Sequence, residues 1–196
     1  MSSAREFVAN ELVPSLIEDA KELRIFNEAD LQYWTAYHIF RDYVRKHPNT
    51  YLLNQPYIRI GKGRGATSAR PDLVIADSKQ GPITAIELKC FLEDADLKFT
   101  TIRDKVWEDI EALRKFKQRF DKSEYAFAII MIDVTDIHLY NNLCKEFDRE
   151  KESWMKHYLK VHLINMFCDE DGRKRTRYED WAEGWLDRLD QFKGMT

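Results

Sequence analysis

The sequence predicts an α/β fold, a single-domain α/β/α sandwich built on a central mixed β-sheet, and three observations carry that expectation. Two apolar segments with β-branched middles, Ala69 to Asp77 and Pro82 to Cys90, flank the turn-like Ser78-Lys79-Gln80-Gly81 and read as a β-hairpin. Tyr125 to Ile132 is continuously apolar, as a strand covered on both faces would be. Segments with helical periodicity lie before and between these strands. At 196 residues without a Gly/Ser/Pro-rich linker, the chain suits one well-buried domain: residues 1–26 form an N-terminal helical packing segment and residues 27–196 the remainder.

Phe7, Val8, Leu12, Leu16, Ile17 and Leu23 recur at helix-like spacing, interrupted by Pro14, which predicts one kinked helix or two short ones. Asn27 is placed to cap the next helix, from Glu28 to about Lys46, where His47-Pro48 stops it. On that helix Ala29, Tyr33, Ala36, Ile39, Phe40, Tyr43 and Val44 gather on one side. Gln32 falls in the same expected buried sector, with Glu28 one turn above it, so both are read as facing something polar. His38 is read as a surface or hydrogen-bonded histidine. Asn49 to Ile60, bent by Pro56, is the first strand region.

A helix from about Thr100 to Phe120 carries the core stripe Ile102, Val106, Ile110, Leu113 and Phe116. Asp109 lies within this stripe and Lys105 on its edge, so the two either pair with each other or reach the active end of the sheet. Trp107 points elsewhere and is a candidate interface residue. After the strand at Tyr125 come a helix from about His138 to Tyr158, a strand from Leu159 to Phe167, and a last helix with Trp181, Trp185, Leu189 and Phe192.

The chemistry lies in the hairpin. If it closes symmetrically about Lys79 and Gln80, Ser78 faces Gly81, Ile75 faces Thr84 and Asp72 faces Glu87, with cross-strand Cβ atoms about 5 Å apart. Side chains alternate along a strand, so Glu87 and Lys89 share one face while Ile86 and Leu88 take the other. Two adjacent carboxylates repel unless a cation sits between them, and a hard divalent ion, Mg2+ or Mn2+, is the natural occupant. The Lys89 ammonium is then placed to orient a water or to offset charge on phosphate oxygens. Acid-x-Lys triplets also occur at Asp19 to Lys21, Asp77 to Lys79 and Asp96 to Lys98, so the triplet decides nothing alone. Pro71-Asp72 is the sole Pro-Asp in the chain, and only Glu87-Leu88-Lys89 ends an apolar strand facing such an acid.

These residues resemble the PD-(D/E)xK nuclease superfamily, in which an Asp in one strand is followed by Asp/Glu-x-Lys in the next. The resemblance spans about residues 27 to 133 and implies a restriction-endonuclease-like core in αβββαβ order. It implies that Asp72 and Glu87 bind the metal with the backbone carbonyl of Leu88, and that Lys89 assists the attacking water. Glu28-x-x-Leu31-Gln32 is similar to the first helix of several such families, which implies that Glu28 supports the metal and Gln32 the cluster. The implied activity is metal-dependent hydrolysis of DNA phosphodiester bonds. The alternatives are a non-catalytic DNA-binding or assembly subunit of the same fold, and a nuclease for RNA or branched DNA.

A net charge of −3 requires any nucleic-acid surface to be local. Lys62 and Arg64 in the Gly61–Gly65 loop, together with Arg70 and Lys105, are the candidate substrate contacts. Arg173-Lys174-Arg175-Thr176-Arg177 follows an acidic run and reads as a self-neutralised hairpin or loop, with DNA contact as the other reading. No apolar run is long enough to cross a bilayer and the start lacks a signal-peptide core, so a cytoplasmic protein without membrane contact is expected. Cys90, Cys144 and Cys168 match neither a disulfide framework nor a zinc set. Cutting both strands of a duplex is compatible with a homodimer.

Overall fold

The computed structural model describes residues 3–60, 67–92, 98–120, 123, 125–133, 137–168 and 174–181. Its centre is a six-stranded mixed sheet in the order β1-β4-β5-β6-β7-β8: β1 (Thr50–Asn54), β4 (Leu73–Asp77), β5 (Gly81–Phe91), β6 (Ala126–Ile132), β7 (Leu159–Cys168) and β8 (Lys174–Trp181). Strands β5, β6 and β7 run parallel, and antiparallel pairings extend the sheet on both sides. A separate antiparallel ribbon joins β2 (Ile58–Ile60) and β3 (Thr67–Ala69). The α/β class with a mixed central sheet between helical layers is thus established.

Proline decides where the expected strands break. Pro71 has no N–H to give a ladder, and the segment read as one strand from Ala69 to Asp77 ends β3 at Ala69 and begins β4 at Leu73. Around Pro56, likewise, the first strand region divides into β1 and β2, with Gln55 at φ 44° in the gap.

One face of the sheet is covered by α4 (Phe99–Arg119) and α5 (Ile137–Lys156), the other by the N-terminal helices. The α4 stripe is buried as its spacing predicts, from Ile102 through Val106, Ile110 and Leu113 to Phe116, against Ala85, Ala128 and Ile130. Trp107 does not point away from the core: it is partly buried against it, its ring 5.4 Å from Phe147 and 5.6 Å from Trp154.

On the opposite face, α1 (Ala4–Phe7) passes through a π segment, Val8–Leu12, into α2 (Val13–Lys21). Pro14 removes a helical N–H and its ring crowds the carbonyl one turn back, a conflict that a π segment relieves without breaking the helix. Ser3 and Glu6 form a reciprocal capping box at its start.

Helix α3 (Glu28–His38) is capped by Asn27, whose Oδ1 accepts the Asp30 N–H at 3.0 Å, and continues through a π segment, Ile39–Tyr43. Its inner face differs from the expected one. Leu31, Thr35, His38 and Ile39 are buried, whereas Tyr33 and Phe40 are exposed. His38 is satisfied in the interior, with Nε2 2.6 Å from Asp19 Oδ2. Burying this polar contact turns the helix away from the face that counting apolar residues alone selects.

Trp181 closes β8 rather than lying in a terminal helix. The basic run after the acidic stretch joins the antiparallel pairing of β8 with β7. Trp185, Leu189 and Phe192 lie outside the described residues. Among the described residues no helix is long and apolar enough to cross a membrane.

Candidate active site

The hairpin of β4 and β5 reaches the expected register by an unexpected route. Leu73 pairs with Ile86, Val74 with Ala85 and Ile75 with Thr84, and the same register places Asp72, one residue beyond the end of the ladder, opposite Glu87. Nearer the turn the register shifts: Ala76 pairs with Pro82 and Asp77, not Ser78, with Gly81. The connection is three residues, Ser78 to Gln80, and Ile83 bulges out of β5 to restore the pairing further along. Asp77 Oδ1 shapes that turn by accepting the Lys79 N–H at 2.7 Å and the Gln80 N–H at 2.9 Å, while Gly81 takes φ 83°.

Alternation on β5 then sorts the side chains. Ile86 and Leu88 enter the core beneath the N-terminal helices. Glu87 and Lys89 point to the α4 side, the same side as Ala85. The ladder with β4 stops at Leu73, and the Leu88 N–H, having no strand partner there, donates to Asp72 Oδ2 at 2.8 Å. In a strand the N–H and C=O of one residue face the same neighbour, so the Leu88 carbonyl is directed to this side as well.

Glu87 is 6% exposed and its pKa is pushed up to about 9. Burial is the main cause; the charges of Asp72 and Asp109 add to it, as does a hydrogen bond with the Asp72 side chain. Lys89 Nζ lies 3.3 Å from Glu28 Oε2 and 3.4 Å from Asp109 Oδ2. Burial alone would lower the Lys89 pKa, but these two carboxylates outweigh it and hold the ammonium above its ordinary value. Asp109 rises to about 6, chiefly through burial, with Lys89 opposing the rise and the acids around it adding to it.

Acids thus outnumber cations at this spot. Glu28 and Asp109 contact the one ammonium, Asp72 and Glu87 meet each other, and burial together with the neighbouring acids favours a proton on Glu87. The chemistry suits a hard divalent cation, which could replace that proton between Asp72 and Glu87. Among the described residues no group of three or more His, Cys, Asp or Glu side chains is arranged to hold a metal. A two-carboxylate site still fits Mg2+, which characteristically keeps several waters and takes substrate oxygens as further ligands. The rim is accessible: the Lys89, Asp109 and Glu28 side chains are 20%, 21% and 45% exposed.

The remaining sequence-derived candidates are placed as follows. Gln32 Nε2 donates to Asn54 Oδ1 at 2.7 Å, at the end of β1, where Asn54 pairs with Leu73. Arg70 is exposed and its Nε donates to the Gln55 carbonyl at 3.3 Å. Lys105 is exposed with Nζ 5.7 Å from the centre of the Phe91 ring, and of the two charged residues on α4 it is Asp109 that reaches Lys89. Lys62 and Arg64 lie outside the described residues. Asp109 announced itself in the sequence as a charge within an apolar stripe; Asn54 carried no such signal.

No family model matches this chain, and no curated protein matches it. Two solved structures are similar to it. The SfsA protein of Pyrococcus furiosus in complex with Ca2+ is 15% identical over 76% of this chain, with a TM-score of 0.35. The YaeQ protein of Xanthomonas axonopodis pv. citri is 13% identical over 74% of this chain and 70% of its own, with a TM-score of 0.30. The chain matches 62% of the SfsA structure. At these TM-scores neither likeness defines the activity.

Proposed function

We propose that this protein is a metal-dependent endonuclease that hydrolyses phosphodiester bonds in DNA. The observation that carries the reading is the contact between the Asp72 and Glu87 carboxylates, at the point where β4 leaves the ladder, linked through Asp109 to the Lys89 ammonium. Asp72 and Glu87, with the Leu88 carbonyl, would hold Mg2+ or Mn2+. Such an ion supplies Lewis acidity, lowering the pKa of a bound water and offsetting charge on the phosphate. The Lys89 ammonium, its pKa held above the ordinary value by Glu28 and Asp109, would orient the attacking water or stabilise a phosphate oxygen. Glu28 and Asp109 fix that ammonium from two helices, and Glu28, the more exposed of the two, is the one free to exchange toward a metal. Arg70 and Lys105, both exposed, are the proposed phosphate contacts, with Lys62 and Arg64, which lie outside the described residues.

Incubating plasmid DNA with the protein and Mn2+ or Mg2+ tests this reading. Cleavage is expected for the wild type and its loss for Asp72→Ala, Glu87→Ala and Lys89→Ala, each with an unchanged circular dichroism spectrum. Persistent cleavage by Glu87→Ala defeats the assignment. One observation favours a second reading, a non-catalytic DNA-binding or assembly subunit: Lys89 is already ion-paired with two carboxylates, as in a purely structural network. DNA binding without metal-dependent cleavage would select it. Linear duplex, branched, single-stranded and RNA substrates separate the remaining possibilities, because backbone hydrolysis engages the same phosphate atoms in each.

A further inference from the structure

Helix α3 has a buried side and, opposite it, an exposed aromatic one. Its inner side buries Leu31, Thr35 and His38. Its outer side presents Tyr33, Tyr37 and Phe40, which are 63%, 41% and 57% exposed. At the helical repeat Tyr33 and Tyr37 lie about 40° apart, nearly opposite the buried side, and Phe40 follows them in the π segment. Trp34 packs edge-on against both tyrosines, at 5.4 and 5.5 Å between ring centres, so the rings are held in place rather than loosely solvated. A helix that has already buried one face gains nothing from a second aromatic one in water; such a stripe marks a contact surface.

Charge points to what covers it. Arg24 and Arg41, which lie over the rings of Trp34 and Tyr37, are already engaged, Arg24 by Asp19 and Glu22 and Arg41 by Asp42. They offer little to a phosphate chain, which favours a protein surface over a nucleic-acid strand. The helix is acidic where it begins, at Asp30, and basic where its continuation ends, at Arg45. A second copy packed antiparallel sets the acid of one helix against the base of the other at both ends, with opposed helix dipoles.

We infer that the Tyr33, Tyr37 and Phe40 stripe is the contact surface of a homodimer in which two copies of α3 pack antiparallel about a two-fold axis. This does not depend on the catalytic reading, because it is measured by mass and not by cleavage. Sedimentation velocity of the full chain at roughly 1 to 100 μM, the range of ordinary protein association, is expected to show twice the 23.4 kDa protomer mass. A Tyr33→Glu/Phe40→Glu variant with an unchanged circular dichroism spectrum is expected to be monomeric, its association weakened by ~100-fold or more. Asp30→Arg and Arg45→Asp are each expected to be monomeric alone and to form a mixed dimer when combined. A wild type that stays monomeric, including one whose stripe instead binds an oligonucleotide, overturns the inference. So does a dimer that survives the aromatic double variant, and failure of the charge-swapped pair to associate overturns the antiparallel arrangement.

Discussion

Asp109 Oδ2, from the middle of α4, lies 3.4 Å from Lys89 Nζ on the central strand β5. This contact joins a helix to the lysine of the proposed site, and Glu28, the first residue of α3, meets the same ammonium from a second helix. Lys89 is therefore positioned by elements distant in sequence, and its orientation depends on both helices keeping their places on the sheet.

Replacing Asp109 by Asn should keep the size of the side chain while removing its charge. Cleavage is expected to fall by about 10- to 100-fold, the usual effect of removing a residue that orients a catalytic group, with a larger loss in kcat than change in KM. A rate equal to that of the wild type would show that Glu28 alone is enough to position Lys89.

Glu87 should make stability depend on pH in the absence of a cation. Its folded pKa of about 9 lies above the ordinary 4.5, so the folded state binds the proton more tightly. The associated stability is fully present below the ordinary pKa and is lost as pH rises toward 9. Urea unfolding with a chelator present should show Glu87→Gln to be the more stable protein at pH 8, by on the order of 1 to 3 kcal/mol, and the equal of wild type near pH 4. The same pH slope in both proteins would locate the raised pKa elsewhere.

Divalent ions should stabilise the fold through the same pair of acids. Millimolar Mg2+ or Mn2+ is expected to raise the melting temperature of the wild type, since a ligand that binds only the native state adds to its stability. The rise should vanish in Asp72→Asn and in Glu87→Gln. Thermal shift measurements on the three proteins check this without DNA.

The Asp19 and His38 pair should matter for stability and not for cleavage. Asp19 accepts from Arg24 Nη1 at 2.7 Å and lies 2.6 Å from His38 Nε2. Arg41 Nη2, 3.1 Å from His38 Nδ1, can only donate, which leaves the ring proton on Nε2 to bond Asp19. Asp19→Ala should cost about 3 kcal/mol in chemical denaturation, as breaking a buried polar pair typically does. Specific activity of the folded fraction should be unchanged.

Gly81→Ala tests the turn that sets the site's register. A Cβ there would meet no atom within 4 Å, so its effect comes from φ 83° alone. The expected loss is about 1 kcal/mol. A larger loss accompanied by loss of cleavage would indicate that the hairpin had slipped.

Much of the site was legible in the sequence because strand geometry is local. A period of two places Glu87 and Lys89 on one face and Ile86 and Leu88 on the other, whatever surrounds the strand, and the facing of Asp72 and Glu87 follows from the hairpin. The α4 stripe followed just as directly from the helical repeat. Packing decided the rest. A bulge at Ile83 offsets a three-residue turn, two prolines divide the expected strands, and α3 turns its inner face toward a buried Asp19 and His38 contact. That Glu28 and Asp109 meet at Lys89 was settled only when two helices, far apart in the chain, docked at opposite faces of one sheet. Periodicity specifies which side of an element a residue occupies, but no local rule specifies which other element lies across from it.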